Sequence, residues 1–419
     1  MSITVYPPIG SNPYNPVYIQ FPTGSLDAFG RLQVSSPYTL FDSQNRYAAD
    51  NQFSTATTGT GTTSYLGNEA AVKMEVTSGG AGSVVRQSYR CLPYQPGKGL
   101  LVLATFVMDS SNSVNLTQRV GYFNAQNGVF FQKIDGTLSF VLRSYVTGSV
   151  SDARTVNQAD WNGDKLDGTG PSGLTLDGSK AQILWMDFEW LGVGSVRCGF
   201  VINGVFILCH TFNNANLISN VYMTTATLPM RYEITSTTGV AAYLKQICCT
   251  VISEGGYEQD SIEHAARRTT IFTNIDTAAN FYPIVSIRLA SSALGAVVIP
   301  TRIQFQPTTL QNYEIALIKN PTLTGATWAA TVPSDSNVEY DVAATAISAA
   351  GTITQVGYIS NTGGGGQSST LSPTGYNWDL QIGASLANVS DIYTLGVRTI
   401  SGATKGDGVG SISFYDLTQ

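Results

Sequence analysis

Short apolar runs separated by turn dipeptides constrain the fold of this chain more than any other feature of its sequence. Asn-Gly or Asp-Gly pairs stand at residues 127–128, 135–136 and 203–204, each between runs rich in aromatic and β-branched residues. Such a pair between such runs is the strongest short-range signal for a β-hairpin. The pattern predicts an all-β protein, with one β-sandwich or jelly-roll domain over 46–257 and a second over 270–419.

Two segments depart from this pattern. Residues 1–45 are rich in proline and tyrosine near their start, and the prolines exclude a helix and favour an extended N-terminal arm. Residues 258–269 carry acidic residues early and arginines late, an order that complements a helix dipole. This order predicts one short linker helix between the two domains.

Charge is sparse in this chain, and that limits the classes of function. Charged residues make up 12% of the chain, and the net charge is −6. An average domain has about 25% charged residues. A surface with few charges associates with other surfaces more readily, so we expect other subunits to cover parts of this one. Catalysis usually recruits titratable side chains, and nucleic-acid binding usually needs a basic surface. The composition therefore predicts a structural or binding protein, with no enzymatic activity, no cofactor and no nucleic-acid partner.

The sequence also gives an expectation for localisation. The chain has no apolar stretch of the roughly 18 residues that a membrane helix needs, so we expect no membrane partner. Its first residues show neither a basic n-region nor an apolar h-region of a secretory signal. We therefore expect synthesis in a cytoplasm.

The five cysteines are odd in number and sparse, which argues against a secreted disulfide framework. A two-residue turn at 203–204 would place Cys198 opposite Cys209, with Cα atoms about 5.5 Å apart. That separation is within disulfide range, so a disulfide and two free buried thiols both remain open. The adjacent Cys248 and Cys249 would point to opposite faces of a strand and are interpreted as small core residues.

One polar loop contains the oxygen ligands that a Ca²⁺ ion would need. These are Asp160, Asn162, Asp164 and Asp167. An EF-hand requires Gly at its sixth position and Glu at its twelfth, where this loop has Lys165 and Pro171. An irregular Ca²⁺ site is one interpretation. The other is that these side chains cap the backbone of their own loop.

Two pairs of residues superficially suggest catalysis. Asp187 and Glu189 would share one face of a strand, which superficially resembles a glycosidase pair, but the same alternation is typical of a half-buried strand. The sequence favours ion pairing of these carboxylates with Arg197 or Arg231. Cys209 and His210 are adjacent, so their side chains would point to opposite faces of a strand. We therefore predict no catalytic residue.

Two longer stretches carry a resemblance to a known family. Residues 28–43 read AFGRLQVSSPYTLFDS, and residues 187–200 read DFEWLGVGSVRCGF. They are similar to the N-terminal signature and to the body of virion structural proteins of tailed bacteriophages. This family includes marine and cyanobacterial phages and also occurs in large DNA viruses. The resemblance spans roughly residues 25–258 and implies a fibre, spike, decoration or tail/baseplate protein of the virion.

The resemblance also implies how such a protein works, which is by self-assembly and by docking its arm on the particle. The candidate anchor residues are Phe29, Gly30, Arg31, Leu32, Phe41 and Asp42. Where the family motif usually has a second basic residue, this chain has Gln33. The expected partners are other virion proteins and copies of this chain, as a trimer. The alternative function is a carbohydrate-binding adhesin that recognises a host-surface glycan, with Ca²⁺ in the 160–167 loop.

Overall fold

The computed structural model describes residues 36–258, 261–277, 280–331, 336–360, 378–400 and 405–418, and the backbone of three short strands outside these ranges. Two of those strands, β1 (Thr4–Val5) and β2 (Ile19–Gln20), pair with each other. The helical segments of the described residues are single 3₁₀ turns at Gly67–Glu69, Gln158–Asp160 and Trp378–Leu380. The predicted all-β class is therefore confirmed, and in the described residues no helix is long and apolar enough to span a bilayer.

The first sandwich contains fifteen strands, and each pairing between them is antiparallel. They are β3 (Tyr38–Gln44), β4 (Phe53–Gly59), β5 (Gly61–Leu66), β6 (Ala71–Val76), β7 (Gly82–Ser88), β8 (Leu100–Met108), β9 (Leu116–Phe123), β10 (Gly128–Ile134), β11 (Thr137–Ser144), β12 (Ser151–Asn157), β13 (Gln182–Phe188), β14 (Val196–Ile202), β15 (Val205–Phe212), β16 (Met230–Ser236) and β17 (Ala242–Ser253). One sheet has the order β12-β11-β10-β9-β16-β7-β4. The other has the order β15-β14-β13-β8-β17-β6-β5, and β3 joins it by pairing with β17.

The core of this sandwich forms because alternate residues of each strand point inward. In β8, burial alternates along the whole strand, and Val102, Ala104 and Phe106 are each at most 1% exposed. Complete burial of a side chain such as phenylalanine contributes about 1.5–3 kcal/mol to the stability of the folded state. The predicted turn between β14 and β15 is confirmed, because Asn203 and Gly204 have φ values of 53° and 78°.

The second sandwich packs two larger sheets and a short strand pair around its own core. Its strands are β18 (Glu263–Arg267), β19 (Phe272–Ile275), β20 (Tyr282–Leu289), β21 (Val298–Pro307), β22 (Asn312–Lys319), β23 (Thr322–Thr324), β24 (Ala329–Ala330), β25 (Val338–Asp341), β26 (Ala346–Ala349), β27 (Thr352–Ser360), β28 (Ser369–Leu371), β29 (Ile392–Thr399) and β30 (Gly406–Asp416). The sheets have the orders β18-β30-β21-β28, with β19 also on β30, and β24-β25-β20-β29-β22-β27.

The predicted linker helix at 258–269 is wrong. Residues 263–267 form β18, which pairs with β30 in the second sandwich. Ala266 is buried, and the ring of His264 stacks on Phe414 at 5.7 Å between centroids. An isolated helix of this length is marginal in water, whereas a strand on β30 gains a hydrogen-bonded ladder and a buried side chain. Residues 259 and 260 lie outside the described residues.

The last part of the predicted arm also belongs to the first sandwich. Residues 38–44 form β3, in which Leu40 and Phe41 are 3% and 2% exposed within the core. Phe41 pairs with Val251 of β17, and Asp42 pairs with Thr250. This segment joins the sheet because β17 can pair with it along its C-terminal half, and because the pairing buries Leu40 and Phe41 in the core.

Specific contacts join the two sandwiches. Arg90 donates from Nη1 to the carbonyl oxygen of Trp378 at 2.6 Å, and its guanidinium lies 5.2 Å from the ring centroid of Phe41. The indole of Trp378 donates to Tyr38 Oη at 2.9 Å and packs with the core of the first sandwich. The amide of Ala384 donates to the carbonyl oxygen of Tyr89. The segment that begins at Trp378 therefore fixes the second sandwich to the first.

Candidate interaction surface

Part of the outer face of the eight-stranded sheet is apolar, and we call this part the open face. It consists of outward side chains of β8, β13, β14, β15 and β17, which are Leu101, Leu103, Thr105, Val107, Ile183, Trp185, Val201, Phe206, Leu208, Cys248, Thr250 and Ile252. The outward side chains of Asp187 and Arg197 border it at one end, and those of Tyr243 and Lys245 border it at the other. The register places these side chains in rows across the strands, for example Leu103 between Trp185 and Thr250. An antiparallel sheet commonly packs one face on the core and exposes a polar face to solvent. Here the outer face also carries a group of apolar side chains.

Several side chains of the open face are exposed in the single chain. Ile183 is 38% exposed, Phe206 is 53% exposed and Leu208 is 40% exposed. Their neighbours on β8 and β17 are half-buried. Contiguous exposed apolar side chains mark interaction sites, whereas isolated ones do not.

An indole packed across a glycine organises the centre of the open face. Trp185 donates from Nε1 to the carbonyl oxygen of Ile207 at 3.2 Å, and its ring contacts Phe206 edge-on at 5.6 Å. The intervening β14 carries Gly199, where an added Cβ would lie 1.9 Å from that same oxygen and 2.8 Å from Trp185 Nε1. The glycine is therefore required for the indole to lie across the sheet and support Phe206 from one side.

A polar cavity of about 400 Å³ lies at one end of the open face. Its charged lining residues are Asp187, Glu189, Arg197 and Glu254. Asp187 is 7% exposed and forms an ion pair with Arg197, as the sequence favoured. An added Cβ at Gly99 would lie 2.8 Å from Glu254 Oε2 and 3.8 Å from Asp187 Oδ1, so two carboxylates flank this glycine. Arg231, the other predicted partner, instead binds Glu233.

The loop with the Ca²⁺ candidates caps its own backbone and the edge of a sheet. Asp164 accepts hydrogen bonds from the amides of Leu166 at 2.9 Å and Ser172 at 2.7 Å, and Asp167 accepts one from Thr169. Burial opposes the charge of Asp164, but these hydrogen bonds outweigh it and lower its pKa. Among the described residues, no group of three or more His, Cys, Asp or Glu side chains could hold a metal ion.

The same loop covers the outer edge of β15. Asn162 donates to the carbonyl oxygen of Thr211 at 2.9 Å and accepts from its amide at 2.8 Å. The amides of Gly163 and Asp164 donate to the carbonyl oxygens of Cys209 and Leu208. Open strand edges template pairing with other chains, so the loop protects this one.

The cysteines near that edge are buried and free. A β-bulge pairs Cys198 with His210 instead of the predicted Cys209, which is the extra residue. Both thiols lie in the core at 0% exposure, and burial raises the pKa of Cys209 to about 12. His210 is also buried, where desolvation and then the charge of Arg154 lower its pKa. Cys249 lies in the core, and Cys248 lies on the open face.

The outer face of the seven-stranded sheet, here called the polar face, is built differently. Phe123, Phe130 and Val141 form a small buried cluster on it. Three arginines cover this cluster, with guanidinium carbons 5.0 to 5.6 Å from the ring centroids; they are Arg119, Arg143 and Arg231. These arginines bind Glu233 and Asp152.

The structure describes two of the six candidate anchor residues, and these two lie in different environments. Phe29, Gly30, Arg31 and Leu32 lie outside the described residues. Phe41 lies in the core, whereas Asp42 is exposed on the strand next to Thr250 of the open face. Sequence reasoning missed Ile183, Phe206 and Leu208, although β8 already showed the signal, because LLVLATFVM is apolar at nearly every position.

Comparisons with known proteins find distant structural neighbours of this chain. No family model and no curated protein matches the chain. The carbohydrate recognition domain of Emp47p matches with 10% identity, 56% of this chain, 99% of that chain and a TM-score of 0.32. A glycosyl hydrolase family 16 protein from Mycobacterium smegmatis matches with 9% identity, 51% of this chain, 100% of that chain and a TM-score of 0.34. Values this low carry no information about function.

Proposed function

We propose that this protein is a structural component of a tailed-phage particle that assembles through its open face. The observation that carries the proposal is the exposure of three neighbouring apolar side chains, Ile183, Phe206 and Leu208. The resemblance of residues 28–43 and 187–200 to virion proteins supports the same function. The role is a binding role, and we propose no catalytic step for Asp187 or Glu189.

The partner that we propose for the open face is another copy of this chain. Obligate interfaces resemble a domain core cut in half, and homo-oligomeric interfaces are more apolar than transient ones. The open face has this character, with leucine, isoleucine, valine and aromatic side chains across five strands. We propose a homo-oligomer, with a trimer as the expected state, that docks on other virion proteins.

Light scattering on the purified full-length chain tests this proposal. We expect a mass that is a multiple of 44.6 kDa, with three copies as the first expectation. The copy number of the chain in an intact particle is the independent measurement. A monomer over the whole micromolar range, together with no binding to particle components, would overturn the proposal.

The second candidate function is carbohydrate binding, the activity of a receptor-recognition adhesin. The part of Emp47p that matches is a carbohydrate recognition domain, but the similarity is too low to support a transfer. The specific observation in favour is a cleft between the sandwiches lined by amide and hydroxyl side chains. A glycan array tests this function, and a parallel array with chelator tests the Ca²⁺ alternative at 160–167.

A further inference from the structure

A cleft with a volume of about 620 Å³ lies between the two sandwiches. The first sandwich contributes its floor with Gln87, Tyr89 and Cys91, and one wall with the turn at 124–126. The second sandwich contributes the turns at 291–295 and 384–388. Ligand pockets of about 300–1,000 Å³ occur preferentially at domain interfaces such as this one.

The lining of the cleft combines amide, hydroxyl and apolar side chains and carries almost no charge. Amide side chains come from Gln87, Asn124, Gln126 and Asn388, and hydroxyl groups come from Tyr89, Ser291, Ser292 and Ser385. Arg231 is the one charged side chain among the described residues that line it. It forms an ion pair with Glu233, which also binds Arg119, and its Nη1 donates to Gln87 Oε1 at 2.7 Å.

Amides and hydroxyls both donate and accept hydrogen bonds, as sugar hydroxyls do. A ligand with a net charge would lack an opposite charge in this cleft, since Arg231 is already paired. A neutral ligand with many hydroxyl groups needs no opposite charge in the cleft. The lining therefore fits a neutral saccharide better than an anion or a metal ion.

The walls of the cleft are held in place by hydrogen bonds within the protein. The amide of Ala384 donates to the carbonyl oxygen of Tyr89 at 2.9 Å, and that of Leu386 donates to Ser54 Oγ at 3.1 Å. Asn124 Oδ1 accepts from the amides of Gln126 and Asn127, both at 2.8 Å, and fixes the opposite turn. A site that is ordered before binding loses less entropy when its ligand enters.

We propose that this cleft binds a neutral mono- or disaccharide unit of a glycan. The proposal rests on the second candidate function and assigns it a site. It does not depend on self-assembly, because the cleft lies beside the polar face and not on the open face.

The test is a glycan array with immobilised neutral and acidic glycans, probed with the full-length chain and two tryptophan variants. Ser292 is exposed in the wall of the cleft, so Ser292→Trp would fill the cleft with an indole. Ser149 is exposed in a turn outside the cleft lining, and Ser149→Trp is the matched control. Circular dichroism and native mass would verify that both variants fold and assemble as the wild type does.

We expect the wild type and Ser149→Trp to bind the same neutral glycans, and Ser292→Trp to lose binding at least tenfold. Removal of one amide with Gln126→Ala should weaken binding by several fold. If the wild type binds a glycan that Ser292→Trp binds equally well, the cleft is not the site, although carbohydrate binding stands. If the wild type binds no glycan, both the cleft assignment and the carbohydrate function are wrong.

Discussion

The two outer faces of the first sandwich cover their apolar side chains in different ways. On the polar face, Phe123 and Phe130 lie beneath guanidinium groups of the same chain, so they are buried in the single subunit. On the open face, Ile183, Phe206 and Leu208 are exposed and have no such cover among the described residues. Arginines therefore cover the apolar cluster of one face, whereas the apolar side chains of the other face stay accessible.

A charge at the exposed edge strand of the open face should have the largest effect. Phe206 is exposed in the single chain, so Phe206→Asp should leave the fold intact but place a carboxylate in the proposed interface. We expect the native mass to fall to that of a 44.6 kDa monomer in light scattering. Thr235→Asp, on the polar face, is the control and should keep the wild-type mass. Equal masses for both variants would contradict the difference between the faces.

Loss of an arginine from the polar face should instead reduce stability. Arg143 donates to both carboxylate oxygens of Asp152 at 2.8 Å and lies over Phe130. Because Arg143 is mostly buried, Arg143→Ala should lower the free energy of unfolding by about 1.5–3 kcal/mol. Lys73→Ala removes the more exposed ion pair with Glu75 and should cost at most about 0.5 kcal/mol. Urea unfolding measures the free energy of unfolding of both variants. A larger loss for Lys73→Ala than for Arg143→Ala would contradict the prediction.

Opening the edge beside the open face should cost less. Asn162→Ala removes two hydrogen bonds to Thr211, so we expect a loss of about 1–2 kcal/mol and faster aggregation on heating. Asp160→Ala, an exposed neighbour, is the control and should change stability by no more than about 0.5 kcal/mol. Thermal unfolding with turbidity detection follows both effects. Identical aggregation rates would show that the loop does not protect the edge.

The polar face should also show the smallest effect, a dependence on acid. Burial raises the pKa of Asp152, but the hydrogen bonds and charge of Arg143 outweigh it and hold the pKa below its usual value. The folded state therefore binds this proton less readily than the unfolded state does. The stabilisation is complete above the unfolded pKa and disappears as pH falls through the folded one. Between pH 5 and 2, Asp152→Asn should lose less stability than the wild type; a parallel loss would contradict this.

The sequence predicted features that depend on neighbouring residues. The hairpin at 203–204 followed from Asn-Gly, and ion pairing of Asp187 was expected with Arg197 or Arg231, of which the structure shows Arg197. It could not predict the bulge that makes Cys209 the extra residue, because one inserted residue leaves the local pattern unchanged. It could not predict β18, because the pairing with β30 joins residues about 150 positions apart in the chain.

The candidate site was only partly visible in the sequence. Apolar residues on both sides of β8 were present in the sequence, but only the sheet order shows that β13, β14 and β15 extend the same surface. The exposure of Phe206 depends on the position of Trp185 across Gly199, which is a contact between three strands. The cleft at 620 Å³ depends on how two separately predicted domains meet.

The capped edge at Asn162 and Thr211 also limits how copies of this chain can be joined. A strand from a neighbour cannot pair with β15 at Leu208, Cys209 and Thr211, because the loop already occupies their backbone groups. Growth by stacking strand on strand, the geometry of amyloid, is blocked along this edge. In the proposed oligomer, copies of this chain would therefore meet through the open face and not strand to strand along this edge.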